Sequence, residues 1–82
     1  MLEVLILTTQ RCLFRGSAER VILPGEQGVF EVGAFHRPLL SRLLPGWIVV
    51  DDRSFPIQRG VVKVESDSVI SLVEVEATNH EP

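Results

Sequence analysis

The chain has one cysteine, Cys12, in 82 residues, and no tyrosine. A single thiol excludes an intramolecular disulfide, so the expected setting is reduced and cytoplasmic. Lysine is almost missing too: Lys63 is the only one among eight basic residues, the others being arginine. With a net charge of −3, the composition argues against a nucleic-acid partner. No apolar run approaches the ~20 residues that span a bilayer. The opening "MLEVLILTTQR" has no basic leader and no small-residue cleavage site, so it reads as a strand and not as a signal peptide. No window carries a sustained helical stripe. Nucleophile-elbow, P-loop, dinucleotide-binding and zinc-protease motifs are all lacking.

What is present is apolar. Hydrophobic residues make up 45% of the chain. A chain of this size buries only about 60–65% of its unfolded surface, so part of that apolar material is expected to face a partner. The apolar residues recur with period two or in short runs between turn residues. Such runs are "LEVLILT" (2–8), "CLFRG" (12–16) and "SAERVIL" (17–23), punctuated by Gly16, followed by "GVFEV" (28–32) and "GWIVVDD" (46–52). Asp51 to Ser54 reads as a turn. "SFPIQ" holds Pro56, which cannot donate to a ladder, so an edge strand is expected. "GVVKVES" (60–66) and "SVISLVEV" (68–75) flank Asp67 and form the best hairpin, although the turn has no glycine. "RPLLSRLL" (37–44), opened by Pro38, is the one helical possibility, and the polar "ATNHEP" at the end reads as frayed. The pattern predicts a single all-β domain, a sandwich or barrel, over residues 1–76, with a polar tail over 77–82.

Chemistry-bearing residues are sparse and scattered. Cys12 and His36 could form a nucleophile and base, but Cys12 lies in an apolar strand pattern where a buried, inert thiol is expected. His36 and His80 have no metal-ligand spacing. No two carboxylates stand out, and a solvated strand face accounts for them. Trp47 follows Pro45-Gly46 and reads as a core side chain, with an interface anchor as the second reading. Strands 2–8, 46–50 and 68–75 carry apolar residues on both faces. In the last, Ile70 and Leu72 oppose Val69, Val73 and Val75. An apolar outer face of this kind marks a protein interface.

The glycine- and proline-rich stretch "VILPGEQGVFEVGAFHRPLLSRLLPGWIVV" resembles the ε subunit of bacterial and chloroplast F-type ATP synthases, the δ subunit of mitochondria. The matching elements are Pro24-Gly25 and Gly28 of a PG-x-x-G turn, then His36 with Pro38-Leu39-Leu40, then Leu43 with Pro45-Gly46. Phe14, Gly16 and Val21 match the opening strands, and residues 57–76 match the closing hairpin, so the likeness runs from Leu2 to Glu76. Departures are Ala34-Phe35 where the family has Pro-Gly, Arg59-Gly60 where it has two glycines, and Val29 where an acidic residue often follows the turn. The family's helical C-terminal hairpin has no counterpart in these residues, and roles tied to it do not carry over.

The resemblance implies a two-sheet β-sandwich of about ten short strands without a helical hairpin. It implies a non-catalytic rotor subunit linking the γ shaft to the membrane c ring and coupling ion flow to ATP synthesis. That places it peripherally, on the cytoplasmic face of the membrane, with no cofactor, no metal and no tight nucleotide binding. Gly25, Glu26, Gln27, Gly28 and Val29 would touch the c-ring loops. His36, Arg37, Pro38 and Leu39 would lie at the γ or c-ring interface, or His36 would lock the connector with a hydrogen bond. The alternative is a free-standing β-sandwich that binds a ligand or protein without a motor role.

Overall fold

A computed structural model of the protein describes residues 1–76; the expected polar tail, with His80, lies outside them. The described residues form nine strands and no helix: β1 (Leu2–Leu7), β2 (Cys12–Ala18), β3 (Val21–Gly25), β4 (Gly28–Val32), β5 (Leu39–Leu43), β6 (Gly46–Val50), β7 (Arg53–Ile57), β8 (Arg59–Glu65) and β9 (Ser68–Glu74). Period-two patterning sets them. In β8, Val62 and Val64 are buried while Lys63 and Glu65 face out; in β9, Val69, Ser71 and Val73 are buried while Ile70 and Leu72 face out. Successive side chains of a strand point to opposite faces, so one parity fills the core. The two strands pair antiparallel from Arg59–Glu74 to Glu65–Ser68. Their two-residue turn needs no glycine to be held: its carbonyls accept hydrogen bonds from the N–H groups of Phe35 and Glu3.

The strands follow one hydrogen-bonded path, β2-β1-β9-β8-β5-β3-β6-β7, with β4 on the open side of β3. The path bends sharply where β5 meets β3, for the two share a single pair, Gly25 with Leu43. There Leu44 and Pro45 carry the chain from β5 in one layer to β6 in the other. Pro24 sits at this corner. Its missing N–H would cost a ladder bond in a regular central strand, but the bend leaves that position free, and its carbonyl accepts from the Leu44 N–H at 2.8 Å. The two ends of the path come back together, since the rings of Phe14 in β2 and Phe55 in β7 meet edge to face at 5.8 Å. The result is a curled, two-layered sandwich. Between the layers lie Leu2, Val4 and Ile6 of β1, Val62 and Val64 of β8, Val21 and Leu23 of β3, and Ile48 and Val50 of β6, all buried.

Several expectations need correction. Residues 37–44 are not helical: Leu39 to Leu43 pair in register with Val64 to Gly60 of β8, and that ladder outweighs local propensity. The strand expected over 17–23 breaks at Glu19-Arg20, whose N–H groups both donate to the Asp51 carboxylate at 3.1 and 3.2 Å. Gly16 therefore lies inside β2 and punctuates nothing. Cys12 is exposed. A register shift between Ile6 and Leu7 sets it against Leu7 at the end of a strand bordering the path. Trp47 is 57% exposed and belongs to the outer surface, because Ile48 takes the inward parity of β6. The Asp51-Asp52 turn is as expected, with β7 already beginning at Arg53, and Pro56 does lie in an end strand, β7.

Candidate functional site

The PG-x-x-G motif is the β3–β4 hairpin. Its strands pair Val21 with Val32 through to Gly25 with Gly28, leaving Glu26 and Gln27 as a two-residue tip. The two glycines serve different needs. Gly28 has φ +120°, which side chains other than hydrogen rarely allow. Gly25 makes room: a Cβ there would lie 2.7 Å from the Phe30 ring. Pro24 and Gly25 are buried, whereas Glu26, Gln27, Gly28 and Val29 are exposed. Glu26 and Arg42 of β5 approach to 3.8 Å. Both are well exposed, so this pair contributes at most about 1 kcal/mol.

The chain then runs along β4 and through residues 33–38 into β5. In that connector the His36 Nδ1–H donates to the carbonyl of its neighbour Arg37 at 2.7 Å. An open groove lies between β4 and β5. It brings together the two residue groups chosen from sequence, Gly25 to Val29 and His36 to Leu39, and adds Phe30, Leu40, Ser41, Arg42 and Val61. Those five were missed. Leu40 and Arg42 were hidden by the helical reading of 37–44, whereas Val61 was legible as an outward residue of an alternating strand.

A second surface lies on the outer face of the β2-β1-β9-β8-β5 layer. Register builds it in two rows across the strands. One row is Leu5, Ile70, Lys63 and Leu40, and the other is Leu7, Leu72, Val61 and Arg42. Leu40 is 76% exposed, and Val61, Ile70 and Leu72 are each near 45%. This is the exposed face anticipated for Ile70 and Leu72, with β1, β5 and β8 extending it. Leu40 and Val61 belong to both this face and the groove.

The nucleophile–base pair considered from sequence, Cys12 with His36, is not assembled. Cys12 sits on β2, at the far end of its layer from β5, and so never meets His36. No cluster of His, Cys, Asp or Glu suited to a metal ion occurs among the described residues.

Residues 1–78 match the family described as ATP synthase, Delta/Epsilon chain, beta-sandwich domain. The ATP synthase epsilon chain of Xanthomonas campestris pv. campestris is 35% identical over 74 residues, covering 84% of this chain and 53% of that one. The epsilon chain of Sulfurimonas denitrificans is 41% identical over 78 residues, covering 89% and 60%. The chain thus spans about half the length of the curated relatives it matches. Among solved structures, a chain of the Tetrahymena thermophila mitochondrial ATP synthase central stalk and c ring superposes with a TM-score of 0.73 at 17% identity, covering 98% of this chain and 73% of that one. The hairpin, the groove and the apolar outer face are therefore features of a member of the ATP synthase delta/epsilon β-sandwich family, and this chain belongs to that family.

Proposed function

We propose that this domain is a non-catalytic part of the rotor of an F-type ATP synthase, packed on the γ shaft and touching the c ring so that ion flow is coupled to ATP synthesis. The observation that carries this reading is the apolar outer face. Ile70, Leu72 and Val61 adjoin one another on one sheet face, with Leu40 beyond Lys63, and all four are substantially exposed. A face of this kind is built to be covered, and on this reading the γ shaft covers it. The polar tip of the β3–β4 hairpin, Glu26 and Gln27, reaches the c-ring loops, with Gly25, Gly28 and Val29 beside it. His36 to Leu39 line the groove at the edge of the same contact. The domain sits peripherally on the cytoplasmic side of the membrane and takes no cofactor and no tightly bound nucleotide. The relative in Tetrahymena belongs to a structure of a central stalk and c ring, which agrees with such a placement.

The test is binding of this chain to the γ subunit of its enzyme, measured by calorimetry. Fully burying an Ile or Leu is worth about 1.5–3 kcal/mol, and a little under half of each side chain is still exposed in the free chain, so Ile70→Asp with Leu72→Asp should weaken binding at least about tenfold. Both residues face outward, and the circular dichroism spectrum should stay that of an all-β protein. Unchanged affinity would remove the face from the shaft contact and the proposal with it.

A further inference from the structure

We propose that the groove between β4 and β5 receives an extended segment of the γ subunit, which adds to the free edge of β4 as an extra strand. The inference rests on the γ contact proposed above and extends it from a covered face to a specific backbone docking.

The first argument is hydrogen-bond accounting. β4 pairs with β3 alone, and β5 pairs with β8 apart from the single Gly25–Leu43 link, so each strand has an unpaired edge; Val29 and Phe30 of β4 and Leu39 to Arg42 of β5 line the groove, and the free edge of β4 runs on past it to Glu31. The two-residue tip makes Gly25–Gly28 the closing pair of the hairpin. Hydrogen-bonded and non-hydrogen-bonded pairs alternate from there. Leu23–Phe30 and Val21–Val32 are then bonded, and Pro24–Val29 and Ile22–Glu31 are not. The Pro24 carbonyl, which points away from β4 to the Leu44 N–H, confirms the phase. The N–H and C=O groups of Val29 and Glu31 therefore point outward from β4. They stand ready for a partner strand, the usual means by which an exposed sheet edge binds an extended peptide.

The second argument is continuity. Leu40 and Val61 line the groove and also belong to the outer face assigned to the shaft, so a segment leaving that face enters the groove directly. The third is charge. The whole chain carries −3, yet the charged groove residues are Arg37 and Arg42 against Glu26, a local reversal of sign. With Leu40 and exposed Val29 beside them, they fit an apolar segment that carries an acidic side chain.

Two measurements test this. Amide hydrogen exchange of the unmodified chain, free and bound to purified γ, should show the Val29 and Glu31 amides slowed at least about tenfold in the complex. Glu31→Pro removes one outward N–H that β3 does not use, and should lower γ affinity about tenfold, whereas Glu31→Ala, which also loses the Arg20 pair, should lower it less than about twofold. If γ binds and Ile70→Asp with Leu72→Asp weakens that binding, but the two amides exchange at unchanged rates, strand addition is wrong and the shaft contact stands. If γ does not bind the unmodified chain, both readings fall.

Discussion

Phe35 shows how a single residue can record a departure from the family pattern. Where relatives carry Pro-Gly before the histidine, this chain has Ala34-Phe35, and Phe35 adopts φ +63° with its side chain 88% exposed. Its N–H donates to the Ser66 carbonyl, which holds the conformation in place. A side chain in the left-handed region costs about 1–2 kcal/mol, and glycine returns up to about 1 kcal/mol of that through the extra freedom of the unfolded chain. Phe35→Gly should therefore raise stability by about 0.5–1 kcal/mol, read as a higher urea midpoint at constant slope. A fall in the midpoint would show that the phenyl ring packs usefully after all. Ser71 is the complementary case in the core: 1% exposed, its hydroxyl is the one buried side-chain polar atom without a partner among the described residues. An unpaired buried hydroxyl costs about 1–3 kcal/mol, so Ser71→Ala should be neutral or stabilising by up to about 1 kcal/mol, and a clear loss in the same urea assay would reveal a bond that the hydroxyl makes.

At the scale of elements, closure of the curled sheet depends on β2 and β7, which are furthest apart along the hydrogen-bonded path. Phe14 and Phe55 meet edge to face, and the Arg53 guanidinium lies 5.5 Å from each ring centroid. A double-mutant cycle on Phe14→Leu and Phe55→Leu should give a coupling of about 0.5–1.5 kcal/mol, and Arg53→Ala should cost about 0.5–1 kcal/mol. A coupling of zero would mean that the layers are held shut by the aliphatic core alone. The elements also show where sequence reading works and where it stops. β8 was legible because Val62 and Val64 alternate with Lys63 and Glu65, and β1 and β9 were legible as short β-rich runs bounded by turn residues, although their apolar residues fall on both faces. β5 was not, since Pro38 and the leucines after it imitate a helical turn; only the ladder to β8, a tertiary contact, makes it a strand. Trp47 was misplaced for a related reason. β6 is apolar on both faces, and nothing local says that Ile48 and not Trp47 points inward. The hairpin tip was read directly from Pro24, Gly25 and Gly28, but the groove behind it was not, because its walls are two strands whose adjacency the sequence does not express.

At the scale of the whole molecule, the two proposed contacts differ in physics and can be separated by it. The outer face is mostly apolar, with only Lys63 and Arg42 as charged members of its rows, so its hold on γ should change less with salt than the tip contact does. The tip contact depends on exposed polar groups, and at 0.15 M salt charges are screened over about 8 Å. Replacing Glu26 and Gln27 together with lysine should leave the fold within about 0.5 kcal/mol, because both are exposed and the Glu26–Arg42 pair is a weak surface one. Affinity for γ should shift less than about fivefold, since the tip is assigned to the ring and an exposed polar contact is worth only about 0.2–1 kcal/mol. Coupling between ion flow and ATP turnover in the assembled enzyme should fall, and raising the salt should narrow the gap between variant and wild type. Cysteines at 26 and 27 should cross-link to the ring loops in the same complex; cross-links to γ alone would assign the tip to the shaft and leave the opposite end of the sandwich, at Asp51-Asp52 and Ser66-Asp67, facing the ring.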